Sequence, residues 1–191
     1  MLRFHTAQII QQIHTKEHPM SGITPTGYNT VNPFVFADDA TALGGFLQRV
    51  FGAAERPEAR TIDGDGLVLH SEFQLGDSVV MVVDRKPDWP WMPGTLQVYV
   101  ADIETTLASA ESAGARVITR PTPFFGAQFS RLVDPWSNVW WVYQQDADWS
   151  GEEDWTSDAS GDGEWESTPE LDYIHDTIVE FLPTLSDPRA G

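Results

Sequence analysis

Two stretches of this chain repeat one another. VNPFVFADDATALGGFLQRVFGAAERP (31–57) and TLQVYVADIETTLASAESAGARVITRP (95–121) share one order of features: an apolar strand, Ala-Asp, a helical stretch, Gly-Ala and a closing Arg-Pro. Ala37-Asp38 answers Ala101-Asp102, and Gly52 answers Gly114. Self-similarity of this kind marks a duplicated supersecondary unit, which fixes the architecture before any single element is assigned.

Each half switches from strand to helix for local reasons. Val31, Asn32, Phe34, Val35 and Phe36 form a short, mostly apolar run, after which Asp38 or Asp39 can cap a helix. Ala42, Leu43, Phe46, Leu47 and Val50 then recur at helical spacing, and Gly52 ends the run as a left-handed terminator. In the second half Leu96, Val98 and Val100 alternate with Thr95, Gln97 and Tyr99, the pattern of a strand with one wet face. Asp102 opens a helix to Ala113, and Gly114 closes it.

Three further strands are predicted after each helix. In the first half they fall near 54–62, in LVLHSEFQL (67–75) and in SVVMVVD (78–84), separated by the turn residues 63–66 and Gly76-Asp77. In the second they are RVIT (116–119), AQFSRLVD (127–134) and VWWVYQQ (139–145), with Asp134-Pro135 opening the last turn. The spacing therefore predicts an α+β fold of two βαβββ modules, 31–84 and 95–145. Each module buries one sheet face under its helix and leaves the other to curve, in a mixed sheet, around a shared cleft. Residues 1–30 read as an N-terminal extension, 146–168 as an acidic linker and 169–191 as a C-terminal helix and tail. In that helix Thr168-Pro169 forms the start, Leu171, Ile174, Ile178 and Leu182 the apolar stripe, and Pro183 the stop.

The chain has 191 residues and no cysteine, so disulfides, thiolate nucleophiles and cysteine-held metals are excluded together. Its formal charge of −18, with only 11 Lys and Arg, argues against nucleic acid as a partner. No apolar run is long enough for a bilayer, and the first residues are too polar for a signal peptide, so no membrane association and a cytoplasmic location are expected. Ten acidic residues and no Lys or Arg lie between Asp146 and Glu170, the composition of a solvated linker. Trp149, Trp155 and Trp165 within it point instead to a segment that docks. His5, His14 and His18 sit in irregular context and read as a terminal extension rather than a ligand cluster.

The pieces FLQRVFGA (46–53), HSEFQLGDSVVMVVD (70–84), VYVADIETTLASAESAGARV (98–117) and FFGAQFSRLVDPWSNVWWV (124–142), in this order, resemble the glyoxalase / bleomycin-resistance / extradiol-dioxygenase (vicinal oxygen chelate) superfamily, in its PhnB-like branch. The resemblance covers residues 31–145. It implies a glyoxalase-like fold, and in metal-dependent relatives a His, Gln or Glu ligand on the first and last strand of each module. Here those strands read VNPFVF, SVVMVV, TLQVY and VWWVYQ. Trp141 or its neighbour stands where a closing Glu would, and Gln97 alone could ligate. No metal and no cofactor are expected, because one neutral amide cannot hold a divalent ion.

The candidate ligand-binding residues follow. His70 and Glu72 share a strand face with Gln74 and could form an acid/base or ligand-orienting pair; the alternative is a hydrated polar face with a cross-strand partner. Trp89 and Trp91 lie in the Pro-rich loop DWPWMPG, and Phe125 in a loop beside Phe124. With Tyr99, Trp141 and Tyr143 they could line an apolar cleft in which Gln97, Arg131 or His70 orients a flat organic molecule, although core packing would account for any one of them. The expected function is metal-free binding of a small organic molecule, as in antibiotic or toxin resistance. Two alternatives stand: a metal-dependent lyase, isomerase or dioxygenase of the same superfamily, and a protein-interaction module using the acidic, Trp-containing tail. No catalytic residue is assigned. A homodimer is expected, with the C-terminal helix contributing to or covering its interface.

Overall fold

The computed structural model describes residues 24–147 and 167–190. His5, His14 and His18, the start at Met20, and most of the acidic linker with Trp149, Trp155 and Trp165 lie outside the described residues.

The duplicated unit is present. The first module runs β1 (Phe34–Ala37), α1 (Ala40–Phe51), β2 (Ala54–Glu55), β3 (Thr61–Ile62), β4 (Val68–Leu75) and β5 (Ser78–Asp84). The second runs β6 (Thr95–Tyr99), α2 (Ile103–Ser112), β7 (Arg116–Phe124), β8 (Ala127–Val133) and β9 (Val139–Gln145). Each module builds its own mixed sheet, with strand order β1-β5-β4-β2 (β3 also pairing with β4) in one and β6-β9-β8-β7 in the other. In both, the first strand lies parallel to the last, and the remaining neighbours are antiparallel.

The helix starts follow from short side chains that accept backbone N–H groups. Asp39, not Asp38, caps α1 by accepting from Ala42 N at 2.8 Å, and Asp102 caps α2 from Thr105 N at 2.9 Å. Gly52 ends α1 at φ 68, where a side chain would be strained. The single strand predicted near 54–62 is instead two short pieces, because Pro57 starts a 3₁₀ turn over Pro57–Ala59. β7 extends past the expected Thr119 to Phe124, through Pro121 and Pro123. An edge strand tolerates these prolines, and its register shifts on either side of Thr119.

One core runs through both modules. It joins Leu43, Phe46 and Leu47 of α1, Phe73, Val80 and Val82 of the first sheet, Ile103, Leu107 and Ala110 of α2, and Val98, Leu132, Trp140 and Val142 of the second. Phe51 meets the Trp140 ring at 4.8 Å, and Ser109 Oγ donates to Arg49 O at 3.2 Å, so the helices bridge the two halves. Trp140 belongs to this core and Trp141 to the opposite face. Buried Asp134 fixes that choice: it accepts Trp140 Nε1 at 3.0 Å and Asn138 N and Trp136 N at 2.9 Å each.

α3 (Pro169–Phe181), capped by Thr168, packs on the second sheet at β7. Its buried stripe closes on Ile174 and Phe181, not on Leu182. Residues 174 and 181 are seven apart, two near-complete turns, whereas Leu182 enters the 3₁₀ turn that Pro183 imposes and stays about half exposed. Among the described residues no helix is long and apolar enough to cross a membrane.

Candidate functional site

Alternation along the second sheet separates its two faces. Val98 and Trp140 enter the core, so Gln97, Tyr99, Trp141 and Tyr143 take the open face. Register places Gln97 beside Trp141 and Tyr99 beside Tyr143. Across the next pairing, Trp141 faces Arg131 and Tyr143 faces Phe129. Six of the predicted residues are thereby on one sheet face or at its rim: Gln97, Tyr99, Arg131, Trp141, Tyr143 and Phe125.

The rings form a continuous packed row, with Phe129 buried within it and Tyr99 exposed at its end. Tyr99 and Tyr143 lie 5.4 Å apart, Tyr143 and Phe129 4.9 Å, Phe129 and Trp141 5.5 Å, and Phe124 and Phe129 5.5 Å. Gln97 Nε2 donates to Tyr99 Oη at 2.8 Å. Burial pushes the Tyr143 phenol upward, with Tyr99 adding to it, which keeps this ring neutral. A cavity of about 360 Å³ opens against this surface, lined by Gln97, Tyr99, Phe124, Phe125, Tyr143 and Gln145. Phe125 sits at the tip of the two-residue β7–β8 hairpin with φ 44, followed by Gly126 at φ 72. Such a turn needs positive φ at both positions, which suits glycine and strains a bulky ring.

Arg131 is 2% exposed and lies where this surface meets α3. Its guanidinium carbon stands 4.1 Å from the Trp141 ring centre and 4.6 Å from that of Phe129. Nη1 donates to Ile174 O at 2.6 Å and to Thr119 Oγ1 at 3.2 Å. Burial pulls the guanidinium down to about 10, still charged at neutral pH.

His70 and Glu72 occupy the open face of the other sheet. Glu72 accepts from Tyr28 Oη at 2.7 Å and Arg56 Nη1 at 3.3 Å, and its second oxygen meets His70 Nε2 at 3.0 Å. Arg56 also donates to Gly27 O at 2.8 Å and to Gln74 Oε1. Burial pushes the Glu72 carboxyl up, and the bonds from His70, Tyr28 and Arg56 outweigh it and hold the group below the usual carboxylate range. This cluster ties the segment before β1 to the sheet. Spacing along the chain gives no sign of Tyr28 as a partner, and Arg56 is visible only as the Arg-Pro that recurs at Arg120-Pro121. Phe34 packs on His70 at 5.9 Å, and Trp89 on Phe36 at 5.7 Å. No hydrogen bond, ion pair or ring contact among the described residues joins this group to the aromatic rings of the second sheet. Trp91 is half-buried in the loop between modules, its Nε1 enclosed without an acceptor.

The residue types do not suit a divalent metal. The positions that would supply ligands hold Phe34 and Phe36 on β1, Met81 and Val83 on β5, Gln97 on β6 and Trp141 on β9. Among the described residues no three His, Asp or Glu gather where they could hold an ion.

No family model matches the chain, and no curated protein matches it. Solved structures do. TioX from Micromonospora sp. ML1 is similar at 18% identity and TM-score 0.50, over 61% of this chain and 99% of its own. Protein PA1353 from Pseudomonas aeruginosa is similar at 16% and 0.51, over 61% and 97%. The genomically encoded fosfomycin resistance protein FosX from Listeria monocytogenes is similar at 10% and 0.50, over 62% and 94%. At such identities the likeness shows the fold, the glyoxalase-like pairing of βαβββ modules, and leaves chemistry to the residues.

Proposed function

We propose that this chain is a glyoxalase / bleomycin-resistance-type protein of the PhnB-like branch that binds a small organic molecule without a metal, as a cytoplasmic homodimer. The carrying observation is the aromatic surface of Tyr99, Phe124, Phe129, Trp141 and Tyr143 beside a cavity of about 360 Å³. Flat rings with few polar groups are what a planar apolar ligand needs, and the lower range of small-molecule pockets begins near this volume, about 300 Å³. A resistance role by sequestration fits a site with binding walls and no assembled acid–base or metal machinery. The Glu72 cluster supports the fold rather than the ligand, since both carboxylate oxygens are already bonded.

Titration of the full chain with bicyclic aromatic compounds, followed by tryptophan fluorescence, tests the reading. Binding should change the emission, and Trp141→Phe should remove most of that change. Tyr143→Ala should weaken binding by about two- to tenfold, the worth of one aromatic contact of roughly 0.5–1.5 kcal/mol. Stoichiometric Fe, Mn, Ni or Zn in the purified protein, lost together with binding when Gln97 is replaced, would overturn the metal-free reading.

A further inference from the structure

The two most buried arginines are treated in opposite ways. Arg85, 3% exposed, meets Asp187 through two bonds of 2.6 and 2.8 Å and Asp38 at 3.0 Å. Arg131, 2% exposed, meets no carboxylate among the described residues. A buried cation that meets two ring faces but hydrogen-bonds only to a carbonyl and a hydroxyl is under-compensated, and a buried charge without its counter-charge is among the more destabilising features a fold can carry.

The orientation of the guanidinium sharpens this. Both of its hydrogen bonds leave from Nη1, toward Thr119 and Ile174. Nε, which belongs to the opposite edge, is enclosed and has no acceptor. The Nε–Nη2 edge is the side-on fork that receives two oxygens of one anion. The indole Nε1 of Trp141 is likewise enclosed without an acceptor. Trp141 and Arg131 are cross-strand neighbours, with the guanidinium stacked on the indole. Two residues side by side thus present donors only, one of them charged, and neither can accept a bond from a ligand.

We infer that the ligand of this face is an aromatic organic anion of the carboxylate, sulfonate or phosphonate class, its oxygens received by the Nε–Nη2 edge of Arg131 with the Trp141 indole N–H as second donor. The inference rests on the reading of this face as the binding face. Tyr143, with Tyr99 and Phe124, lines the cavity of this face, and the Trp141 ring stacks on the guanidinium beside it. With a formal charge of −18 the chain as a whole repels anions, so recognition must come from a short-range, desolvated donor, which a buried arginine provides.

The test is calorimetric titration of the full chain with naphthalene-2-sulfonate and with its neutral isostere, naphthalene-2-sulfonamide. The native chain should prefer the sulfonate by about tenfold or more, the range of one or two charge-assisted hydrogen bonds. Arg131→Met should abolish the preference by weakening the sulfonate far more than the sulfonamide, while Arg131→Lys should restore part of it. If Arg131→Met does not fold by near-UV circular dichroism, Trp141→Phe carries the test, and it should reduce the preference severalfold. Equal affinity of the native chain for both probes overturns the anion inference and leaves the binding face standing. An Arg131→Met protein that keeps the full preference overturns it also. Failure of both probes to bind at millimolar concentration overturns the binding face and the inference together.

Discussion

Asp187 near the end of the chain shows how much one residue can tie together. It accepts from both Nη atoms of Arg85, while Asp38 takes Arg85 Nε at 3.0 Å and Arg189 Nε at 2.8 Å. Arg189 then returns to the carbonyls of Arg85 and Lys86. The bonds from Arg85 first, and then the Arg189 backbone N–H, hold the Asp187 carboxyl down to about 2. A carboxyl lowered on folding stabilises the native state above its unfolded value near 3.9 and loses that effect as pH falls. The tail should therefore unlatch between pH 4 and 2, seen as a loss of the Arg189 amide's protection from hydrogen exchange relative to the intrinsic rate at each pH; Asp187→Asn should show that loss already at pH 7. A wild-type amide as protected at pH 2.5 as at pH 7 would count against it. At this scale the sequence discloses what is local. The caps Asp39, Asp102 and Thr168 and the Gly52 terminator are legible because their partners lie within a few residues. The Arg85–Asp187 pair spans 102 positions, and the missing acceptor of Arg131 is a property of the fold, so neither leaves a trace in spacing.

Among the elements, α1 carries two adjacent glycines that look alike and are not. A Cβ on Gly44 would come within 2.2 Å of Phe73 Cζ, whereas one on Gly45 would meet nothing within 4 Å. Gly44 lets the helix settle on a buried aromatic ring of β4, and Gly45 only weakens the helix. Gly44→Ala should destabilise by about 1–3 kcal/mol through overpacking. Gly45→Ala should stabilise by up to about 1 kcal/mol through helix propensity. Thermal denaturation distinguishes them, at roughly 2–4 °C per kcal/mol for a chain of this size; melting points that move together would refute the packing account. The order of strands and helices was legible because the apolar period switches between two and 3.6 residues and repeats. Boundaries were less so: Pro57 splits the strand after α1, β7 runs through two prolines that only an edge strand permits, and Pro183 turns Leu182 outward. The candidate site was legible in part, since parity along β6 and β9 sorts Gln97, Tyr99, Trp141 and Tyr143 onto one face. That parity carries no information about the other sheet, where His70 and Glu72 form a separate cluster.

The two modules are drawn together by the C-terminal segment. α3 seals the second sheet through Ile174 and Phe181, and the tail beyond it touches Ser137 of the β8–β9 turn and Arg85 after β5, so one segment spans both modules. That leaves other surfaces open. Among the described residues β1 and β6 each pair on one side only, which leaves backbone donors and acceptors on two strand edges. Tyr99 on β6 is 63% exposed, and Val179 and Leu182 on the outer side of α3 are 53% and 49% exposed. Open strand edges and an outward apolar strip are the features that a second copy of the chain would cover, and they motivate the homodimer proposed above, with α3 contributing to its interface. Pairing brings together two chains of formal charge −18, so association should strengthen as salt screens the repulsion, with a screening length of about 8 Å at 0.15 M. Light scattering at micromolar concentration should give twice the chain mass of 21.3 kDa at physiological salt, and a larger monomer fraction at about 0.01 M, where the screening length reaches about 30 Å. The double substitution Val179→Glu and Leu182→Glu leaves the buried stripe of α3 intact and should shift the protein to monomer without lowering its helix content. A monomer at every salt concentration rules out the dimer, and a dimer unaffected by the double substitution rules out the part assigned to the helix.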